Sequence, residues 1–239
     1  MTEPSKPLGS GGMSRAGATT PIKIGRPEAD PADKKVLCSA ICFCKNTPGV
    51  GKDGRSLKQS CVSNRLGELD KILQHRSPFK PEVNYDMTKE PPAPIMDSGV
   101  DTKAHDWLPG FIKKWWDTPD AEGNQRPPFK AGRGMVRRPD VVIVKDPSKP
   151  PTQDNIKQVV EIKFPPDTMD VKQDEAYRRI AGDRTKLVEM GPEDCDCTQS
   201  EPEPSKVPAE ALSAAAALTA LLYMLVTKRP PPPVLTPAF

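Results

Sequence analysis

Histidine is almost missing from this chain: His75 and His105 are the only two in 239 residues. Neither stands at a metal-ligand spacing, so chemistry built on an imidazole base or ligand is argued against. Aromatic residues make up 5% and hydrophobic residues 36%, below the roughly 45–50% of ordinary globular domains. One packed domain of about 150 residues with irregular extensions is therefore expected. Bulk charge is also lacking. The net value of +3 does not announce nucleic acid, so any recognition of phosphate must come from local clusters. Residues 1–35 hold no apolar core of a secretory signal peptide and read as a Pro-, Gly- and Ser-rich leader. Before residue 211 no long uncharged apolar run occurs.

What is abundant is proline, 30 residues, with 16 glycines, which implies long irregular stretches. Four of the six cysteines, Cys38, Cys42, Cys44 and Cys61, fall in a Cys-rich segment at 36–62. They can hold zinc, although Cys-x-Cys strains tetrahedral ligation; they can also close disulfides or stay free thiols. For Cys195 and Cys197 a mutual bridge is strained, and pairing with the N-terminal cluster is geometrically easier. Residues 63–76 carry a helical stripe, Leu66, Leu69, Ile72 and Leu73, capped by Ser63 or Asn64. The Pro-rich stretch 77–104 reads as an extended wrap. All three tryptophans follow in 105–117, where Trp107, Phe111, Trp115 and Trp116 suit either a core cluster or stacking on bases.

The most informative stretch is 136–179. Val141-Val142-Ile143-Val144 and Ile156 to Ile162 are β-branched runs that read as strands. Pro147, Pro150 and Pro151 break the chain between them, so the runs pair as a hairpin. Residues two apart on a strand share a face, so Glu161 and Lys163 point together, and the hairpin brings Asp140 beside Glu161. Two adjacent carboxylates repel unless a shared proton or a divalent cation resolves the conflict, and hard oxygen ligands suit Mg²⁺ or Mn²⁺. Gln173 and Tyr177 lie one helical turn apart, and their helix stops at Gly182. Another strand is expected at Lys186–Met190, and one more, near Met135, is left unresolved.

Pro139-Asp140 with Glu161-Ile162-Lys163 resembles the Pro-Asp…Asp/Glu-x-Lys motif of the restriction-endonuclease-like nucleases. Gln173 and Tyr177 resemble the Gln-xxx-Tyr helix that follows it, and Val136-Arg137-Arg138-Pro139-Asp140 is most similar to the VRR-NUC branch. This resemblance implies an α/β fold with an αβββαβ core in residues 63–191. It also implies a metal-dependent nuclease acting on DNA, with catalytic Asp140, Glu161, Lys163, Gln173 and Tyr177. Glu68, Asp140, Glu161 and the Ile162 carbonyl would hold Mg²⁺ or Mn²⁺, with Asp70 second to Glu68. Arg137, Arg138, Arg178 and Arg179 would meet DNA phosphates, their alternative role being ordinary solvated surface. The near-absence of histidine disfavours an HNH-type nuclease. A repair or replication nuclease, or a nucleic-acid-binding adaptor with an inactive hairpin, are the other readings.

Cys38 to Lys45 and Lys58 to Val62 resemble segments that precede toxin domains in type VI secretion effectors. That likeness implies an antibacterial toxin made in the cytoplasm of a Gram-negative bacterium and acting in that of a recipient cell. It further implies an immunity protein and a secretion spike or chaperone as partners. A structural zinc at Cys38, Cys42, Cys44 and Cys61 is the remaining cofactor expectation. Residues 192–208 form an acidic linker, which predicts that the C-terminal part, 209–239, is separable from the nuclease domain. Within it, Ala211 to Val226 is helical by propensity, and Leu218, Leu221, Leu222 and Leu225 form a stripe. At about 24 Å the run is short against a hydrocarbon core of about 30 Å. A helix docked on the body or on a partner is therefore expected over a membrane segment, and the tail beyond is Pro-rich.

Overall fold

The computed structural model describes residues 27–46, 57–120, 123–197 and 214–231. Most of the expected leader and acidic linker, and the end of the Pro-rich tail, lie outside them. The fold is mixed α/β, with five α-helices and two sheets among the described residues. The main sheet has the order β1 (Phe79–Pro81), β5 (Val141–Val144), β6 (Ile156–Ile162), β7 (Leu187–Met190). Its first three strands are antiparallel, and β7 runs parallel to β6. A smaller sheet is built from the two-residue strands β3 (Ala93–Pro94), β2 (Tyr85–Asp86) and β4 (Val136–Arg137), in that order.

Both faces of the main sheet are covered, which explains why its inner strands read as unbroken apolar runs. On one face Val141, Ile143, Val160, Ile162, Val188 and Met190 meet α1 (Pro31–Cys44), α2 (Leu57–Ile72) and α5 (Ala214–Thr227). On the other, Val142, Val144, Val159 and Leu187 meet α4 (Val171–Ala181) and the smaller sheet. The ends of α4 follow from local chemistry. Asp170 caps it by accepting from the Gln173 N–H at 2.8 Å, and Gly182 closes it at φ 72°. A methyl at Gly182 would also lie 2.6 Å from the Gln153 side chain.

Several expectations are corrected. The helix expected at 63–76 begins at Leu57. The stretch 77–104 is not merely a wrap: it supplies β1 as the edge of the main sheet, while Val136–Arg137 joins the smaller sheet. Lys80 hid β1, because a lysine only 2% exposed is not expected in a strand. Its ammonium reaches Asp70 at 2.8 Å and the His75 carbonyl at 2.6 Å, which makes the burial tolerable. Pro81 fits because β1 is an edge strand.

The proposed zinc site is overturned. Cys38 bonds Cys195, Cys42 bonds Cys197 and Cys44 bonds Cys61, so all six sulfurs are consumed. Cys38 and Cys42 stand one turn apart on α1 and so present their sulfurs in register to the pair at 195 and 197. Among the described residues, no group of three or more His, Cys, Asp and Glu gathers to hold a metal. The set Glu68, Asp140 and Glu161 is not assembled either.

The C-terminal helix is docked on the body, not loosely appended. Leu218 and Leu222 are 6% and 0% exposed in the same core as α1 and α2, and Thr219 donates to Glu68 at 3.0 Å. Leu218 and Leu222 are the i and i+4 members of the stripe that the sequence displays on this helix. No helix among the described residues is long and apolar enough to cross a membrane.

Candidate active site

The pairing of β5 with β6 sets the site. Val141 faces Val160, so one step further the register lays Asp140 against Glu161, on the α4 side of the sheet. Asp140 Oδ2 accepts from the Ile162 N–H at 2.7 Å. Glu161 is only 2% exposed. Its Oε1 receives the Lys163 ammonium at 2.9 Å and the Gln173 amide at 2.6 Å. Gln173 accepts from Lys163 through its own oxygen at 3.2 Å, so one α4 side chain holds both strand residues in place. Tyr177, a turn on, sits 3.2 Å from the Gln173 amide and donates to the Arg138 carbonyl at 2.8 Å. The backbone that carries Pro139 and Asp140 is thereby tied to α4.

Glu161 Oε2 is buried and has no hydrogen-bond partner among the described residues. A buried, unsatisfied carboxylate oxygen is expensive, and here a second carboxylate lies beside it. Burial first, and the charge of Glu161 second, push the Asp140 carboxyl up to about 7. Burial also raises Glu161, against the lowering pull of Lys163. The Tyr177 hydroxyl is pushed up, chiefly by burial and then by Glu161, so it stays protonated and serves as a donor. An open carboxylate oxygen next to a second carboxylate is the donor set that a hard divalent cation satisfies.

The structure thus brings together Asp140, Glu161, Lys163, Gln173 and Tyr177, and leaves other expected residues apart. Glu68 lies on the opposite face of the sheet, bound to Thr219 and to Arg65 at 2.9 Å. Asp70 is taken by Lys80, His75 and the Ser77 N–H. The Ile162 carbonyl accepts from Gln59 of α2 at 2.8 Å, a contact across 103 residues that no local pattern signals. Of the arginines, Arg178 pairs with Asp174 at 2.6 Å, Arg179 with Glu90 at 2.9 Å and Arg138 with Glu82 at 3.2 Å. Arg137 makes no ion pair among the described residues, and with Arg138 it lines a cleft of about 610 Å³ that also contains Trp107.

The tryptophan cluster divides. Trp116 is 1% exposed and donates to the Pro127 carbonyl at 2.8 Å, a core role, while Trp107 is 65% exposed. No family model matches the chain, and no curated protein or solved structure shows significant similarity to it.

Proposed function

We propose that this chain is a metal-dependent nuclease that hydrolyses DNA phosphodiester bonds on a restriction-endonuclease-like αβββαβ core of the VRR-NUC branch. The observation that carries the reading is the buried Glu161 paired in register with Asp140, its Oε2 without a partner among the described residues and its Oε1 held by Lys163. The order α2, β1, β5, β6, α4, β7, three antiparallel strands and a fourth parallel to the third, supports the fold assignment.

Asp140 and Glu161 are the residues that would hold the cation. When bound, the cation supplies a water of lowered pKa and neutralises charge on the scissile phosphate. Lys163, compact and cationic, offers N–H donors to the oxygen on which negative charge develops. Gln173 keeps that ammonium aimed by binding Lys163 and Glu161 together. Tyr177 holds the Arg138 carbonyl, and so the approach of Asp140 to β6. Arg137 and its neighbours then meet the flanking phosphates.

The proposed biological role is an antibacterial toxin delivered by a type VI secretion system and neutralised by an immunity protein. The three disulfides fit a protein that passes through an oxidising compartment. The catalytic reading is tested by nicking of supercoiled plasmid with Mg²⁺ or Mn²⁺ and with EDTA. Asp140→Ala and Glu161→Ala should each abolish nicking while the circular dichroism spectrum stays that of the wild type. A folded Asp140→Ala protein that nicks at the wild-type rate defeats the assignment. The role is tested by co-purification from the native cell, where a tight small partner is expected.

A further inference from the structure

We infer that the cleft lined by Trp107, Arg137 and Arg138 seats an unpaired base of single-stranded DNA on the indole of Trp107; the inference rests on the nuclease reading above and names the form of its substrate. The cleft is lined by Asn84, Trp107, Phe129, Lys130, Arg137 and Arg138, and its volume of about 610 Å³ falls within the range of small-ligand sites. Three of those side chains are cationic, of which Arg138 is paired with Glu82 at 3.2 Å. The acid at its rim, Asp106, is already bound by Lys103 at 2.5 Å. The cleft is tied to the proposed chemistry through Arg138, which forms part of its wall, accepts the Tyr177 hydroxyl through its carbonyl and stands two residues before Asp140.

Trp107 is set up as a platform. At 65% exposure it is more exposed than Trp115 at 43% or the buried Trp116, yet it is not loose. A methyl added at Gly110 would fall 2.2 Å from Trp107 Cε3 and 2.6 Å from Cζ3, so the ring lies flat against the Gly110 backbone. One face of the indole rests on α3 (Leu108–Trp115) and the other is left to solvent. The Trp107 N–H, donated to His105 Nδ1 at 3.1 Å, holds the backbone at this corner. A rigid indole with one free face loses little entropy when a base stacks on it, and every base presents such a face. Within a duplex both faces of a base are already stacked, so entry would first require unstacking. Arg137, which lines the same cleft, would meet a flanking phosphate.

The test is binding of a fluorescent oligodeoxythymidylate and of a blunt duplex of the same length, in low salt with EDTA so that nothing is cut. The wild type should bind the single strand more tightly than the duplex. Trp107→Ala should weaken the single strand roughly five- to a hundred-fold and leave the duplex within two-fold. Gly110→Ala keeps the indole but removes its seat, and alanine is the better helix former. It should weaken the single strand in the same way with no loss of thermal stability, which a merely structural role would not produce. Unchanged single-strand affinity in Trp107→Ala, or a duplex bound as tightly as the single strand, overturns the inference. The two failures are separate: a wild type that cuts no DNA with Mg²⁺ or Mn²⁺ removes the nuclease reading, whereas cutting that ignores Trp107→Ala removes only this one.

Discussion

Replacing Asp140 by asparagine should stabilise the cation-free protein at pH 8. Burial and the neighbouring Glu161 move the Asp140 carboxyl from an ordinary 3.8 to about 7. Between those values the folded chain keeps a proton that the unfolded chain has released. Stability therefore falls as pH rises through that window and is level above it. Each pH unit is worth about 1.4 kcal/mol, so ionised Asp140 costs the fold about 4 kcal/mol as an upper figure. Asparagine removes the charge, keeps the shape and can still accept from the Ile162 N–H through its one oxygen. Allowing for relaxation, we expect a gain of about 2 to 4 kcal/mol at pH 8, or about 5 to 12 °C in Tm for a domain of this size. At pH 5 the gain should fall below half. The assay is thermal unfolding of both proteins in EDTA at the two pH values, disulfides intact. Mn²⁺ at pH 8 should then raise the wild-type Tm and leave the variant nearly unmoved, since binding to the native state alone stabilises it. An Asp140→Asn protein that is less stable than wild type at both pH values refutes the reasoning, because the carboxylates would then not be in conflict.

Lys163→Ala should lower plasmid nicking roughly 10²- to 10³-fold. Lys163→Arg should fail almost as badly, because a planar fork does not fit where a compact ammonium bridges Glu161 and Gln173; Mn²⁺ affinity by calorimetry should stay within a few-fold in both. The double variant Cys44→Ser/Cys61→Ser opens a link across 17 residues and should cost about 3 kcal/mol in urea denaturation. Leu222→Ala removes a fully buried side chain from α5 and should cost about 2 to 5 kcal/mol by the same measurement. A loss below about 1 kcal/mol would mean that the helix is only loosely held.

The legible parts of this chain are those whose determinants lie close together in sequence. β5 and β6 show as β-branched runs because both of their faces are covered. The start and stop of α4 are written in Asp170 and Gly182. Gln173 and Tyr177 meet because four residues make one turn, and Glu161 and Lys163 because two residues share a face. What was hidden depends on partners far along the chain. β1 contains a lysine whose burial is tolerable only with Asp70 in place, and a proline acceptable only at an edge. Glu68 carries the spacing expected of a site residue on a helix before the strands, but α2 packs on the other face, where Thr219, 151 residues away, takes its carboxylate. Asp174–Arg178 is readable as an i,i+4 pair, whereas Arg179–Glu90 spans 89 residues and is not. The cysteines left zinc, disulfides and thiols open because the distance between α1 and residues 195–197 is a property of the fold alone.

The sulfur bonds of α1 bear on how this molecule can travel. Cys38–Cys195 and Cys42–Cys197 close the chain on itself over 157 and 155 residues. A polypeptide drawn end-first through a narrow pore advances as a single strand, and a closed ring cannot do so. Once either bond exists, the stretch between 38 and 197 passes only doubled over or as a folded body. A conduit that carries one strand must therefore receive the chain with its thiols reduced. A conduit that receives the oxidised chain must be wide enough for the whole fold. The timing of oxidation relative to passage thus dictates the kind of channel that can move this protein.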